Sequence, residues 1–138
     1  MLRSNFSNEV LKKIFWTAVF ALYSGLIFYV SIYPFRGTPS PIIFPGADKL
    51  IHAGEFTLFF LIGYQTILYY TKNEGKLIWT LGLTTFYGGI TELAQLAFVY
   101  RTASLIDWGA DILGAVIGLL IILLIEKWKV RNMLFDQK

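Results

Sequence analysis

Apolar residues fall into four long stretches separated by short polar or proline-rich breaks, and this alternation predicts helices over 14–33, 50–70, 77–100 and 105–125. A helix rises about 1.5 Å per residue, so roughly 20 apolar residues reach across a ~30 Å hydrocarbon core. The first stretch contains no charge and follows Lys12 and Lys13. It is too long for the apolar region of a secretory signal, and further spans follow it, so it reads as an uncleaved helix. Tyr33, Tyr69, Tyr70, Trp79, Tyr100, Trp108 and Trp128 lie near the expected ends, where amphipathic rings favour the headgroup zone.

The breaks set the connectivity. Pro34, Pro39, Pro41 and Pro45, with Gly37 and Gly46, stiffen the first loop and keep a helix from forming across it. Residues 71–76 and 101–104 suit tight turns, which make consecutive helices antiparallel neighbours. The expected fold is an all-α membrane protein, a four-transmembrane-helix antiparallel bundle forming one domain over residues 1–138.

Charge gives the orientation. Arg3, Lys12, Lys13, Lys72, Lys76, Lys127, Lys129, Arg131 and Lys138 would share one side, leaving Arg36, Lys49 and Arg101 on the other. Positive loops stay inside, which predicts two cytoplasmic termini and an outward-facing proline-rich loop. The overall composition agrees with lipid as solvent. Only 15% of the 138 residues are charged and 56% are hydrophobic, where soluble domains carry about 25% charge. There is no cysteine, which excludes disulfides, thiolate metal sites and cysteine nucleophiles. The net charge of +3 is modest, and no nucleic-acid partner is expected.

Against this background the polar residues inside the apolar stretches stand out. His52, Glu55, Glu92, Gln95, Asp107 and Asp111 all fall toward the predicted outer side. A central Asp, Lys or Arg costs about 2.5 to 3.5 kcal/mol on insertion scales, so such residues are by default candidates for function. From the helical rise, His52 and Glu55 would lie roughly 3–8 Å below the outer surface, Glu92 about 12 Å, and Asp107 and Asp111 roughly 3–9 Å. Asp48, His52 and Glu55 follow i, i+4, i+7 spacing; Glu92 and Gln95 are i, i+3; Asp107 and Asp111 are i, i+4. Each set therefore shares a helix face. Below Asp111 the stripe continues through Gly114 and Gly118, a small-xxx-small pattern that permits close helix approach.

Several chemistries fit this pattern. The set could serve only to pin helices together, although interhelical polar contacts average about 0.6 kcal/mol in membranes. His52-Ala-Gly-Glu55 is half of a helical carboxylate–histidine motif, so a divalent cation is admitted, but no second such half accompanies it. No resident cofactor and no metal ligand are assigned. A catalytic reading takes His52, Glu55, Glu92 and Asp107 as the reactive set, with His52 or Glu92 as general base. Asp48, Lys49, Gln95, Arg101 and Asp111 would bind the ligand, with Arg101 and Lys49 engaging an anionic head. Ser104 and Thr91 read as ordinary helix-end and membrane-helix residues rather than nucleophiles.

These residues resemble the VanZ-like family of small bacterial membrane proteins, whose namesake is linked to resistance to the lipoglycopeptide teicoplanin. The resemblance covers roughly residues 33–118 and is carried by three pieces in order. They are Asp48-Lys49-Leu50-Ile51-His52 leading to Glu55-Phe56, Glu92-Leu93-Ala94-Gln95 with Arg101 to Asp107, and Asp111-Ile112-Leu113-Gly114-Ala115 running to Gly118. The chain departs from the family at Ala53, where an aromatic is common, and at Asp111, where asparagine is frequent. The resemblance implies a multi-pass protein of the bacterial plasma membrane with an envelope or antibiotic-tolerance role. The expected partner is a membrane lipid or lipid-linked amphiphile, such as a lipoglycopeptide antibiotic or a cell-envelope precursor, bound or modified at the outer leaflet. The alternative is a non-catalytic assembly protein whose polar network only orders the helices.

Overall fold

The computed structural model describes residues 2–33, 46–72, 74–97 and 103–135, with side chains from residue 7 onward. These residues form four helices, α1 (Leu2–Ile32), α2 (Ala47–Ile67), α3 (Lys76–Gln95) and α4 (Leu105–Phe135), and no strand. Each expected stretch holds one of these helices, but the bounds differ: α1 starts well ahead of its stretch, α2 begins at Ala47 and stops at Ile67, α3 stops at Gln95, and α4 runs well beyond its stretch. Hydropathy marks only the apolar part of a helix. The flanks continue the same backbone through Glu9, Lys12 and Lys13 in α1 and Glu126, Lys127, Lys129 and Arg131 in α4, because straight-chain polar residues are good helix formers.

Two local devices position the polar residues. Gly46 sits at φ 88°, ψ 1° ahead of α2, a left-handed conformation that L side chains resist. Its carbonyl accepts from Lys49 and Leu50 N–H at 3.1 and 3.3 Å, starting the turn that carries Asp48, Lys49 and His52. At α4, Ser104 Oγ accepts from Asp107 N–H at 3.2 Å, the capping geometry that satisfies an otherwise orphaned N-terminal donor.

Contacts fix the helix directions. Trp16 and Tyr23 of α1 meet Thr66 and Glu55 of α2, so the two helices run antiparallel. Gly63 faces Thr80 while Phe56 faces Gly88, making α2 and α3 antiparallel as well. By contrast His52 meets Asp111, Thr57 meets Gly114 and Tyr64 meets Glu126, so α2 and α4 lie parallel with a nearly constant offset. The start of α1 and the end of α4 consequently share one end of the bundle.

The α2–α4 interface is the most extensive, and glycine makes it possible. A Cβ on Gly114 would lie 2.3 Å from the Ala53 carbonyl oxygen, so the two backbones touch there. Thr57 Oγ1 shares its proton between the Ala53 carbonyl at 2.7 Å and the Gly114 carbonyl at 3.0 Å, tying the helices at that point. One turn on, Gly118 accepts the Phe60 ring. On the other side of α2, Phe59 is buried against Phe20 of α1 and stacks on Tyr87 of α3, with centroids 5.0 and 4.7 Å away.

Polar residues share the core with apolar ones, and many large apolar residues lie on the surface. Thr80, Thr84, Thr91, Glu92, Gln95 and Asp111 are buried, whereas Leu22, Ile78, Trp79, Phe86 and Leu105 are two-thirds or more exposed. Two stretches, Ser7–Ile32 in α1 and Leu105–Phe135 in α4, are long and apolar enough to cross a membrane. The shorter α2 and α3 do not reach that mark among the described residues.

Candidate functional site

The polar site is built where the start of α2, the end of α3 and the start of α4 converge. His52 Nδ1 lies 2.9 Å from Oδ1 of the fully buried Asp111. With Asp111 ionised and the imidazole neutral, His52 donates through Nδ1 and its Nε2 carries a lone pair. Lys49 Nζ donates to Asp48 Oδ2 at 2.6 Å and to Asp107 Oδ1 at 3.2 Å, bridging α2 to α4 at the rim. Its side chain is 39% exposed, so this is a solvated tie rather than a buried ion pair.

Glu92 has the most unusual surroundings. It is 6% exposed, and its Oε2 accepts the Ser104 backbone N–H at 2.8 Å. In a capping box the third residue of the helix reaches back to the N-cap N–H. Here Glu92 of α3 takes that place, which leaves Asp107, the residue at that position, to face Lys49. Glu92 Oε1 and Asp111 Oδ2 are buried without a hydrogen-bond partner among the described residues. Buried polar atoms are nearly always paired, and an orphan calls for an explanation such as a ligand or an ion.

Of the residues expected to act together, His52, Glu92 and Asp107 offer donor atoms within 4.8 Å of one another. Asp111, Lys49 and Asp48 join them through the contacts above, and Gln95 is buried near the end of α3. Glu55 is outside the close group. Its backbone carbonyl accepts from the Tyr23 hydroxyl of α1 at 3.1 Å, and three residues of helix set it about 60° around α2 from His52. The cation-ready donors are therefore His52, Glu92 and Asp107 rather than the His52/Glu55 pair read from spacing. Arg101 lies outside the described residues.

Beside Glu92 a cavity of about 840 Å³ follows one face of α3. Ile78, Gly82, Phe86, Gly89 and Leu93 line it, and Ser104, Leu105 and Trp108 close its upper end next to Glu92. Trp108 is held there by its Nε1–H, which donates to the Thr85 carbonyl at 3.0 Å. Sequence spacing alone does not mark this groove, because its positions are apolar like those that pack. A second feature is also absent from the motif pattern: Tyr64 donates to Glu126 Oε1 at 2.6 Å, joining α2 and α4 far from the site.

No protein-family model, curated protein or solved structure matches the chain.

Proposed function

We propose that this chain is a VanZ-like integral protein of the bacterial plasma membrane, crossing four times with both termini in the cytoplasm. Its role in this reading is to bind, or modify, an amphiphile with a polar head at the outer leaflet. A lipoglycopeptide such as teicoplanin and a lipid-linked envelope precursor both have the required chemistry. Support for membrane insertion comes from the exposed Leu22, Ile78, Trp79 and Leu105 surrounding a buried set of Thr, Glu, Gln and Asp. An apolar exterior of this extent is unusual in a soluble monomer. Support for the topology comes from the shared position of the α1 start and α4 end, where Lys13, Lys72, Lys127, Lys129 and Arg131 also gather.

The observation that carries the ligand reading is the junction of an apolar groove with a buried acid. From Ile78 to Leu96 the lined face of α3 is about 27 Å long. That length is close to the full ~30 Å of the hydrocarbon core, so the groove has more than enough reach for a tail lying along the bilayer normal. Glu92 at the upper end, with one oxygen unpartnered, suits the hydrogen-bond donors of a head group. His52 and Asp107 stand within reach of the same point, and Arg101 is expected to meet the head's negative charge.

The test uses purified protein in nanodiscs and native mass spectrometry to identify a co-purified amphiphile. Glu92→Gln, His52→Ala and Arg101→Gln should each deplete it and abolish an envelope or teicoplanin phenotype, with folded protein and melting temperature near wild type. If phenotype is lost only in step with folded protein, the site orders helices and nothing more. That alternative draws on Lys49–Asp107, His52–Asp111 and Thr57–Gly114, all of which also join α2 to α4.

A further inference from the structure

We infer that His52, Glu92 and Asp107 form a binding site for one divalent cation of the zinc class, which would take the Glu92 oxygen that an amphiphile's head group otherwise engages. One donor comes from each of α2, α3 and α4, and the three donor atoms lie within 4.8 Å of one another. Donors on a common ion with bonds of about 2.1 Å stand roughly 3 to 4 Å apart. Side-chain rotation by about an ångström closes the difference without moving a helix.

Two observations beyond the acidic grouping point to an ion. The first is the buried Glu92, which has one oxygen on Ser104 N–H and the other without a partner. An ion supplies the missing partner, and a carboxylate already anchored at one oxygen is a pre-oriented ligand. The second is the pairing of His52 Nδ1 with Asp111 at 2.9 Å. Metal-bound histidines almost always donate their other ring N–H to a carboxylate or carbonyl, which fixes the tautomer and aims the free nitrogen. Asp111, with no exposed surface and lodged against Gly88, is placed for that supporting role. One imidazole and two carboxylates favour a borderline metal over Ca²⁺, which prefers an all-oxygen shell of six to eight ligands. Three protein donors also leave a coordination position open.

Lys49 is the built-in competitor. Its ammonium lies 3.2 Å from Asp107 Oδ1, where it offsets the charge that the ion would need. It is partly exposed and long enough to swing outward when a cation enters.

The probe is Zn²⁺ alone, added to the purified full chain in detergent without added lipid and counted by elemental analysis after dialysis. The expected result is one zinc per folded chain. Binding should be lost in His52→Ala and Asp107→Asn and weakened about 10–100-fold in Asp111→Asn, the usual effect of removing a supporting partner. Lys49→Gln should bind zinc more tightly than wild type, an outcome that misfolding does not produce. Folded wild type that retains no zinc, stoichiometry unchanged in His52→Ala, or Lys49→Gln with unchanged or weaker affinity would each overturn the site. Lipid occupancy of the groove is read separately by mass spectrometry, so failure of one reading leaves the other standing.

Discussion

Replacing Gly114 by alanine is the sharpest way to test the close approach of α2 and α4. The new Cβ would sit 2.3 Å from the Ala53 carbonyl oxygen and 3.0 Å from the Ala53 carbonyl carbon and Cα. All three neighbours are backbone, so no side chain can rotate out of the way. Restoring an ordinary contact requires the helices to part by about an ångström. That displacement takes the Thr57–Gly114 hydrogen bond from 3.0 Å to beyond bonding range and stretches His52–Asp111, one turn away. Overpacking typically costs about 1–3 kcal/mol, and a lost interhelical hydrogen bond adds about 0.6 kcal/mol. The expected destabilisation is therefore about 2–4 kcal/mol, measured by denaturant titration in detergent with tryptophan fluorescence. Gly82→Ala is the control. Its Cβ meets nothing within 4 Å, and the gain in helix propensity should hold or raise stability by up to about 1 kcal/mol. A Gly114→Ala protein within about 0.5 kcal/mol of wild type would refute the backbone contact and the pairing of α2 with α4 built on it.

Other outcomes follow from single contacts. Gly82→Trp projects a ring into the open groove beside α3, so it should exclude a bound amphiphile in native mass spectra while leaving the melting temperature near wild type. Ser104→Ala removes the oxygen that caps α4 at Asp107 and should lower stability by about 1 kcal/mol in the same titration. Tyr64→Phe deletes the 2.6 Å bond to Glu126 and should cost about 0.5–1.5 kcal/mol, with no effect on zinc stoichiometry.

Spacing along the chain conveyed the helix faces well. His52 and the pair Asp107/Asp111 do point toward a common region, and Gly114 with Gly118 does form the close seam. Periodicity cannot reveal how far one helix slides past another, and that offset decides partners. Glu92 therefore meets a backbone N–H at the start of α4, and Asp107 meets Lys49 instead of closing its own cap. Glu55 illustrates the angular limit. A step of three residues rotates a helix position by about 60° from its predecessor. That step is enough to leave Glu55 out of the close group that His52 forms with Glu92 and Asp107. The groove beside α3 was illegible for a different reason. Ile78, Phe86 and Leu93 carry the same apolar signal whether they pack against protein, lipid or a ligand tail.

The parallel pairing of α2 with α4 has a consequence for synthesis. Partners across this seam are separated by 57 to 62 residues, from Thr57–Gly114 to Tyr64–Glu126. At roughly 5–20 residues per second, a ribosome needs about 3–12 s to make the second partner after the first. For those seconds His52 has no Asp111 and Thr57 has no Gly114, so the nascent α1–α2–α3 segment must wait with its polar seam unmatched. Slowing elongation between the third and fourth helices should lengthen that wait and expose the unfinished chain to quality-control proteases.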